Sequence, residues 1–334
     1  MSSGRPADAA FPAGRAGRDR FVVERRGPKN AVDPSRPNGL FVEDEPVAPG
    51  VAVPVATVLL ANRECAFRCT MCDLWTNTLD APTPRGAVPA QIRYSLERLP
   101  AARRIKLYNA GSFFDRGAVP AEDHAAIADL VRGFDRVVVE CHPALAGDAV
   151  LRFRDLLAGP ELEIAMGLET ADPGALEKLN KGMTTDDFAS CTRHLVSHGI
   201  RVRSFVLVGV PFLRKEEWPA ATRASIDVSF EAGAETVSLI PTRPGNGALE
   251  ELQRSGLFSP PGLSDLEGAL EDFLEGEEKR GGRARGMLLA DLWDAGRVDA
   301  PRCCAAVRVE RLRTMNLIQR NLPVPPCPSG LRHS

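Results

Sequence analysis

Three cysteines, Cys65, Cys69 and Cys72, fall on the short stretch RECAFRCTMCDL, residues 63–74. The spacing C-x3-C-x2-C admits three kinds of chemistry. Structural zinc normally takes four ligands, often as two C-x2-C pairs. No fourth Cys or His lies nearby, so zinc needs a distant partner. A disulfide leaves one of the three thiols over. A [4Fe–4S] cluster usually takes four thiolates. With three, one iron stays open to bind a small molecule through oxygen and nitrogen and to pass it an electron.

The elements that must position these thiols show a clear rhythm. Short apolar runs at 53–60, 104–109, 136–140, 162–169, 201–209 and 236–241 alternate with helix-length amphipathic segments. These lie near 88–98, 121–132, 148–157, 185–198, 215–232 and 246–254. Near-continuous apolar strands suit a parallel sheet covered on both faces. Thr184 or Thr185 is placed to cap the 185–198 helix, and Gly199 sits where a left-handed C-terminal residue belongs. Six strand–helix units with right-handed crossovers predict an α/β fold, a partial (βα)6 TIM-like barrel. A flat doubly wound sheet is the alternative. The cysteine triplet follows the first strand of this series, at the end where barrels carry chemistry.

Around this core, residues 1–50 predict a disordered or extended N-terminal arm, residues 51–255 the core barrel and residues 256–334 a C-terminal extension. In the extension, MLLADLW reads as a further strand or edge segment and 303–322 as a basic helix. The 334 residues are 44% hydrophobic with net charge −2, so the overall balance demands neither nucleic acid nor membrane. No run approaches the roughly 18 apolar residues of a membrane span. The first 20 residues lack the apolar core of a secretory signal, and a cytoplasmic protein is expected. Eight cysteines there read as ligands, catalytic groups or buried thiols.

The triplet resembles the motif of the radical S-adenosylmethionine (SAM) superfamily, whose core is a partial (βα)6 barrel. The resemblance implies that Cys65, Cys69 and Cys72 ligate a [4Fe–4S] cluster whose open iron chelates SAM. It also implies that reductive cleavage yields a 5′-deoxyadenosyl radical that abstracts hydrogen from substrate. A reducing partner such as ferredoxin or flavodoxin follows. GLETADPGALEKLNKGMTTDDF is similar to the elongator-catalytic-subunit and methylthiotransferase branch. KLYNAGSFFD, SLIPTRPGNGALEEL and CCAAVRVERLRTMN resemble the radical SAM subunit family of archaeosine synthase and its bacterial relatives.

The same resemblance assigns SAM-binding roles at the strand ends. Met71 stands where the family often packs an aromatic near the adenine. Asn109, Gly111 and Ser112 replace a Gly-Gly-Glu that holds the SAM amino group; small residues there let backbone approach a ligand. Glu140 can accept hydrogen bonds from a ribose or face the substrate. Glu169 matches a ribose-binding carboxylate, and a Glu closing an apolar strand is expensive without partners. Arg203 matches a basic residue that meets the SAM carboxylate. The backbone at Ile240 and Pro241 can read the adenine edge, and Arg243 can contact substrate.

Three features lie outside this assignment. Cys303, Cys304 and Cys327 raise the idea of a second metal. Arg308, Arg311, Arg313 and Arg320 form a candidate RNA-backbone patch. Arg25, Arg26, Lys29 and Arg36 can hold a phosphate or simply line a solvated arm. The expected function is radical chemistry on a nucleoside within RNA, that is, tRNA modification. A small molecule or peptide is the second substrate class, and a non-catalytic zinc-binding protein the alternative of another kind.

Overall fold

The computed structural model describes residues 11–281, 285–293, 295 and 303–325. Helix α1 (Arg15–Glu24) precedes strands β1 (Gly39–Ala48) and β2 (Val51–Leu60). Strand–helix units follow: α2 (Ala87–Leu96), β3 (Arg104–Asn109), α3 (His124–Val131), β4 (Arg136–Glu140), α4 (Asp148–Leu157) and β5 (Glu161–Glu169). Then come α5 (Pro173–Lys178), α6 (Thr185–Ser197), β6 (Arg201–Val208), α7 (Trp218–Glu231) and β7 (Thr236–Pro241). The described chain closes with α8 (Ala248–Arg254), α9 (Leu263–Lys279), β8 (Met287–Ala290) and α10 (Ala305–Ile318).

The eight strands form one sheet in chain order. β1 is antiparallel to β2, and each later strand is parallel to the one before it. An order that never reverses keeps right-handed crossover helices on one face. A doubly wound sheet would reverse at its middle. Curvature is direct to see: Arg203 on β6 meets Glu45 on β1 at 2.7 Å. In a flat sheet those strands would lie about 24 Å apart. The fold is a TIM-like barrel left open between β1 and β8, as expected, with β8 in the MLLADLW run adding a seventh parallel strand to the six strand–helix units.

Alternation sorts each strand between two environments. Val58, Leu107, Val139, Ile164 and Val202 face the helices and are fully buried with Ile92, Ile127, Phe153 and Phe188. The alternate positions face the lumen. At its lower end Glu45, Lys106, Glu163, Arg203 and Arg136 pair with one another. Although burial pushes the Glu45 carboxyl up, Arg203 and Lys106 hold it down at about 2. This ionic layer is the barrel floor.

Local chemistry holds the site-bearing elements in place. Thr184 and Asp187 form a reciprocal capping box on α6, and Gly199 takes φ +72° beyond its end. Residues 11–50 of the expected arm include α1 and β1, which the sequence reading did not anticipate. α1 buries only Arg18, Phe21 and Val22, and β1 enters the barrel through Glu45, so neither carries a strong apolar period. The basic cluster there is answered internally. Arg26 and Lys29 pair with Glu64, Arg25 lies over Phe21, and Arg36 lies over Tyr94.

The C-terminal helix corrects the RNA-patch reading. Arg308 and Arg311 are buried against α9, Arg308 Nε on Glu267 at 2.9 Å and Arg311 on Glu271 at 2.7 Å. Arg313 pairs with Glu310 on the surface. The other face of α10 covers the free edge of β8. The Asn316 amide both donates to and accepts from the Ala290 backbone at 2.8 Å, and Gln319 does the same for Leu288. No helix among the described residues is long and apolar enough to cross a membrane.

Candidate active site

The loop after β2 carries the three thiols, and three asparagines fix it. Asn62, fully buried, accepts from Ala110 N–H at 3.2 Å and donates to its carbonyl. Asn180 donates to Arg68 O at 2.9 Å. Asn246 donates to the carbonyls of Thr70 and Cys72 at 2.7 and 3.2 Å. Thr70 N–H in turn donates to Leu179 O. The loop is thereby tied to the ends of β3, β5 and β7. None of these asparagines was singled out in the sequence, because their partners lie far along the chain.

All three thiols are half-buried and free. Burial pushes each upward, Cys69 to about 11 and Cys72 beyond it. Lys181 pulls Cys65 and Cys69 the other way. Three adjacent thiolates therefore need cationic compensation. Among the described residues no three Cys, His, Asp or Glu donors converge on a position for one metal ion. A cubane takes its thiolates on separate irons, whereas zinc gathers its ligands on one ion. Among the described residues Cys303 and Cys304 are not part of such a group either, and Cys327 lies outside the described residues.

Gly111 packs directly against the loop. A Cβ there would lie 3.1 Å from Cys65 Cβ and 3.4 Å from its Sγ, and φ is +136°. Both facts demand glycine. Beside it, Asn109 is buried with both side-chain amide atoms lacking a partner. An orphaned buried amide of this kind suits a ligand in the cleft. Its backbone N–H donates to Glu140 at 2.8 Å. Ser112 is engaged elsewhere, its hydroxyl on Cys141 Sγ at 3.3 Å. Cys141 is a buried thiol pushed up to about 12 by that burial.

Glu169 sits at a bulge in the β5–β6 register with φ +68°. The bulge turns its carboxylate back over Gly167, where Lys181 Nζ donates to it at 2.6 Å. A side chain at Gly167 would meet both groups, its Cβ 2.7 Å from Lys181 Nζ. Lys181 is itself buried. Burial alone would lower it, but Glu169, Cys69 and Cys72 raise it above the usual lysine range. Sequence reasoning missed Lys181, although it lies in the quoted EKLNKGMTT run. Its carbonyl accepts from His142 Nε2 at 3.0 Å, while Ala144 N–H donates to Nδ1. This fixes the tautomer. His142 is stacked on Phe67 of the cysteine loop. Burial and Lys181 hold its pKa down to about 4.

The remaining expected residues divide. Met71 and Ile240 pack on an apolar group with Val210 and Phe212 at the ends of β6 and β7, where Pro241 also lies, buried. Glu140 lies at the mouth. Burial raises its carboxyl to about 7, despite the Asn109 N–H and Lys181. Arg203 stands apart. It is the third residue of β6, buried in the floor with Glu163 and Glu45 at 2.7 Å, so the SAM-carboxylate role is withdrawn for it.

No known family profile matches the chain. The archaeosine synthase subunit β of Methanosarcina acetivorans is 26% identical over 286 residues, covering 81% of this chain and 80% of that one. The Thermococcus kodakarensis protein of the same name is 26% identical over 58% of this chain, which spans only 63% of that relative's length. Among solved structures, methylornithine synthase superposes over 95% of this chain and 77% of its own with TM-score 0.50 at 14% identity. That likeness shows the fold. In sequence the chain is similar to the two archaeosine synthase β subunits. The groups gathered at the mouth are the three thiols, Asn109, Gly111, Glu140, Glu169 and Lys181.

Proposed function

We propose that this chain is a radical SAM enzyme that holds a [4Fe–4S] cluster on Cys65, Cys69 and Cys72 and binds SAM across the strand ends. Such a cluster, when bound, supplies the electron that splits SAM and starts hydrogen abstraction from substrate. The chain's own part is positioning, charge balance and exclusion of water. Asn62, Asn180 and Asn246 hold the thiol-bearing loop rigid. Lys181 offsets the thiolate charge. The Glu169–Lys181 pair offers an acceptor and a cation to the hydroxyls and carboxylate that SAM carries. Asn109 offers the unmatched amide, and Met71, Val210 and Ile240 the apolar surface for a purine. In this proposal the catalytic core spans residues 51–255, and the extension from 256 covers the edge of β8.

A nucleoside in tRNA is the preferred substrate, supported by likeness to two proteins named archaeosine synthase subunit β. That name also motivates a second subunit. A reduced ferredoxin or flavodoxin would deliver the electron, and the free thiols suit a cytoplasmic setting.

The observation that carries the reading is one loop presenting three half-buried thiols beside Lys181 at the open end of the barrel. The test is anaerobic reconstitution with iron and sulfide. We expect about four irons per chain for one cubane, and 5′-deoxyadenosine on addition of dithionite and SAM. Each of Cys65→Ala, Cys69→Ala and Cys72→Ala should abolish that product. A colourless protein holding one zinc would overturn the reading. Comparison of tRNA nucleosides from wild-type and deletion strains tests the substrate.

A further inference from the structure

The lumen above the ionic floor contains a second set of groups. Lumen-facing Tyr108, Glu140, Phe205 and Ile240 are half-buried, whereas their helix-facing neighbours Leu107, Val139, Val206 and Leu239 are fully buried. Solvent therefore enters the barrel from the cysteine end and stops at the floor. Below, the charges are already matched: Lys106 and Arg203 on Glu45, Arg203 and Arg136 on Glu163. The floor offers a ligand no free charge. The walls do. Tyr108 on β3 and Phe205 on β6 meet edge to face across the lumen, centroids 6.3 Å apart at 89°. Glu140, on β4 between them, spends one oxygen on Asn109 N–H, and no Lys or Arg among the described residues pairs with it. On the far side, Asp291 follows β8. It accepts from Trp293 N–H at 2.9 Å and meets Arg243 only at 3.7 Å.

We infer that this part of the lumen is a cation-binding pocket for the substrate. It receives an ammonium or amidinium group on Glu140, against the rings of Tyr108 and Phe205. A carboxylate with no ion pair among the described residues and the ring of Phe205 favour positive charge for independent reasons, and Lys106 Nζ already lies 5.9 Å over the Tyr108 ring. A carboxylate or phosphate in the same place would face the Glu140 carboxylate. Burial keeps the Glu140 carboxyl near half-protonated at neutral pH, the state expected of an acid whose partner arrives with the ligand. The inference deepens the radical SAM reading, on which it rests for the identity of the other occupant. SAM too carries an ammonium, so the same chemistry has two sources.

The test is calorimetric titration of the full chain with benzamidinium, neutral benzamide and benzoate. We expect benzamidinium to bind at least tenfold more tightly than benzamide, and benzoate not to bind. Glu140→Gln should weaken benzamidinium at least tenfold while leaving the circular dichroism spectrum unchanged, and Tyr108→Leu should weaken it severalfold. Saturating S-adenosylhomocysteine should leave the affinity unchanged. Equal binding of benzamide, no saturable binding of benzamidinium, or full binding by Glu140→Gln would each overturn the pocket. Displacement by S-adenosylhomocysteine would overturn its assignment to substrate and give Glu140 to SAM. None of these titrations needs a cluster, so they remain readable if iron fails to load.

Discussion

At the scale of single residues, the site sets charge where water cannot easily reach it, and that has measurable consequences. Glu140 has a carboxyl raised from 4.5 to about 7 in the folded chain. A raised acid contributes full stability below its unfolded value and loses it as pH climbs through the folded one. The wild-type protein should therefore lose up to about 3 kcal/mol between pH 4.5 and 7 from this group alone. Glu140→Gln should raise Tm at pH 8 and leave it nearly unchanged at pH 4.5, as thermal melts would show. Gly111 poses a different constraint. Gly111→Ala places a methyl against Cys65 in a backbone region that disfavours it. The protein should fold, with a Tm a few degrees lower, but bind far less iron on reconstitution than the wild type.

At the scale of elements, two edges and one loop decide whether the barrel works. β8 would be an exposed edge with unpaired backbone groups. α10 prevents this by setting the amides of Asn316 and Gln319 onto Ala290 and Leu288, as a ninth strand would. Replacing Asn316 by Leu leaves the Ala290 N–H and carbonyl unpaired. A loss of about 1–3 kcal/mol is expected, read by urea denaturation, with increased hydrogen exchange confined to β8 and α10. α1 acts at the other end. Its Phe21 and Val22 pack with Leu179, Phe212 and Leu249, while Arg18 reaches Asn180 and Glu177. It thereby braces the segment that holds Arg68 and Thr70 of the cysteine loop.

At the scale of the whole molecule, the floor of buried ion pairs closes the barrel across strands distant in the sheet. Glu45 links β1 to β3 and β6 at once. Its carboxyl, held at about 2 against 4.5 unfolded, contributes stability above pH 4.5 that disappears as pH falls toward 2. The contribution is on the order of 3 kcal/mol. Glu45→Gln should lower stability at pH 7 and flatten the acid limb of the pH–stability curve. Because it leaves Arg203 with only Glu163, a loss of about 3–5 kcal/mol at neutral pH is expected from equilibrium unfolding.

The sequence by itself determined where the thiols cluster and how the core repeats. Three thiols on one short loop narrow the chemistry through local spacing, and six strand–helix units show themselves through local periodicity. Gly111, the α6 cap and the strand limits were legible for the same reason. What the tertiary structure alone decided involves partners far apart in the chain. Arg203 belongs to the floor because Glu45, 158 residues earlier, enters the same lumen. Arg308 and Arg311 turn inward because α9 offers Glu267 and Glu271. Lys181 becomes part of the site because a bulge at Glu169 turns a carboxylate toward it. Side-chain charge is visible in a sequence, but whether it meets water or an opposite charge depends on closure of the barrel, which no local pattern records.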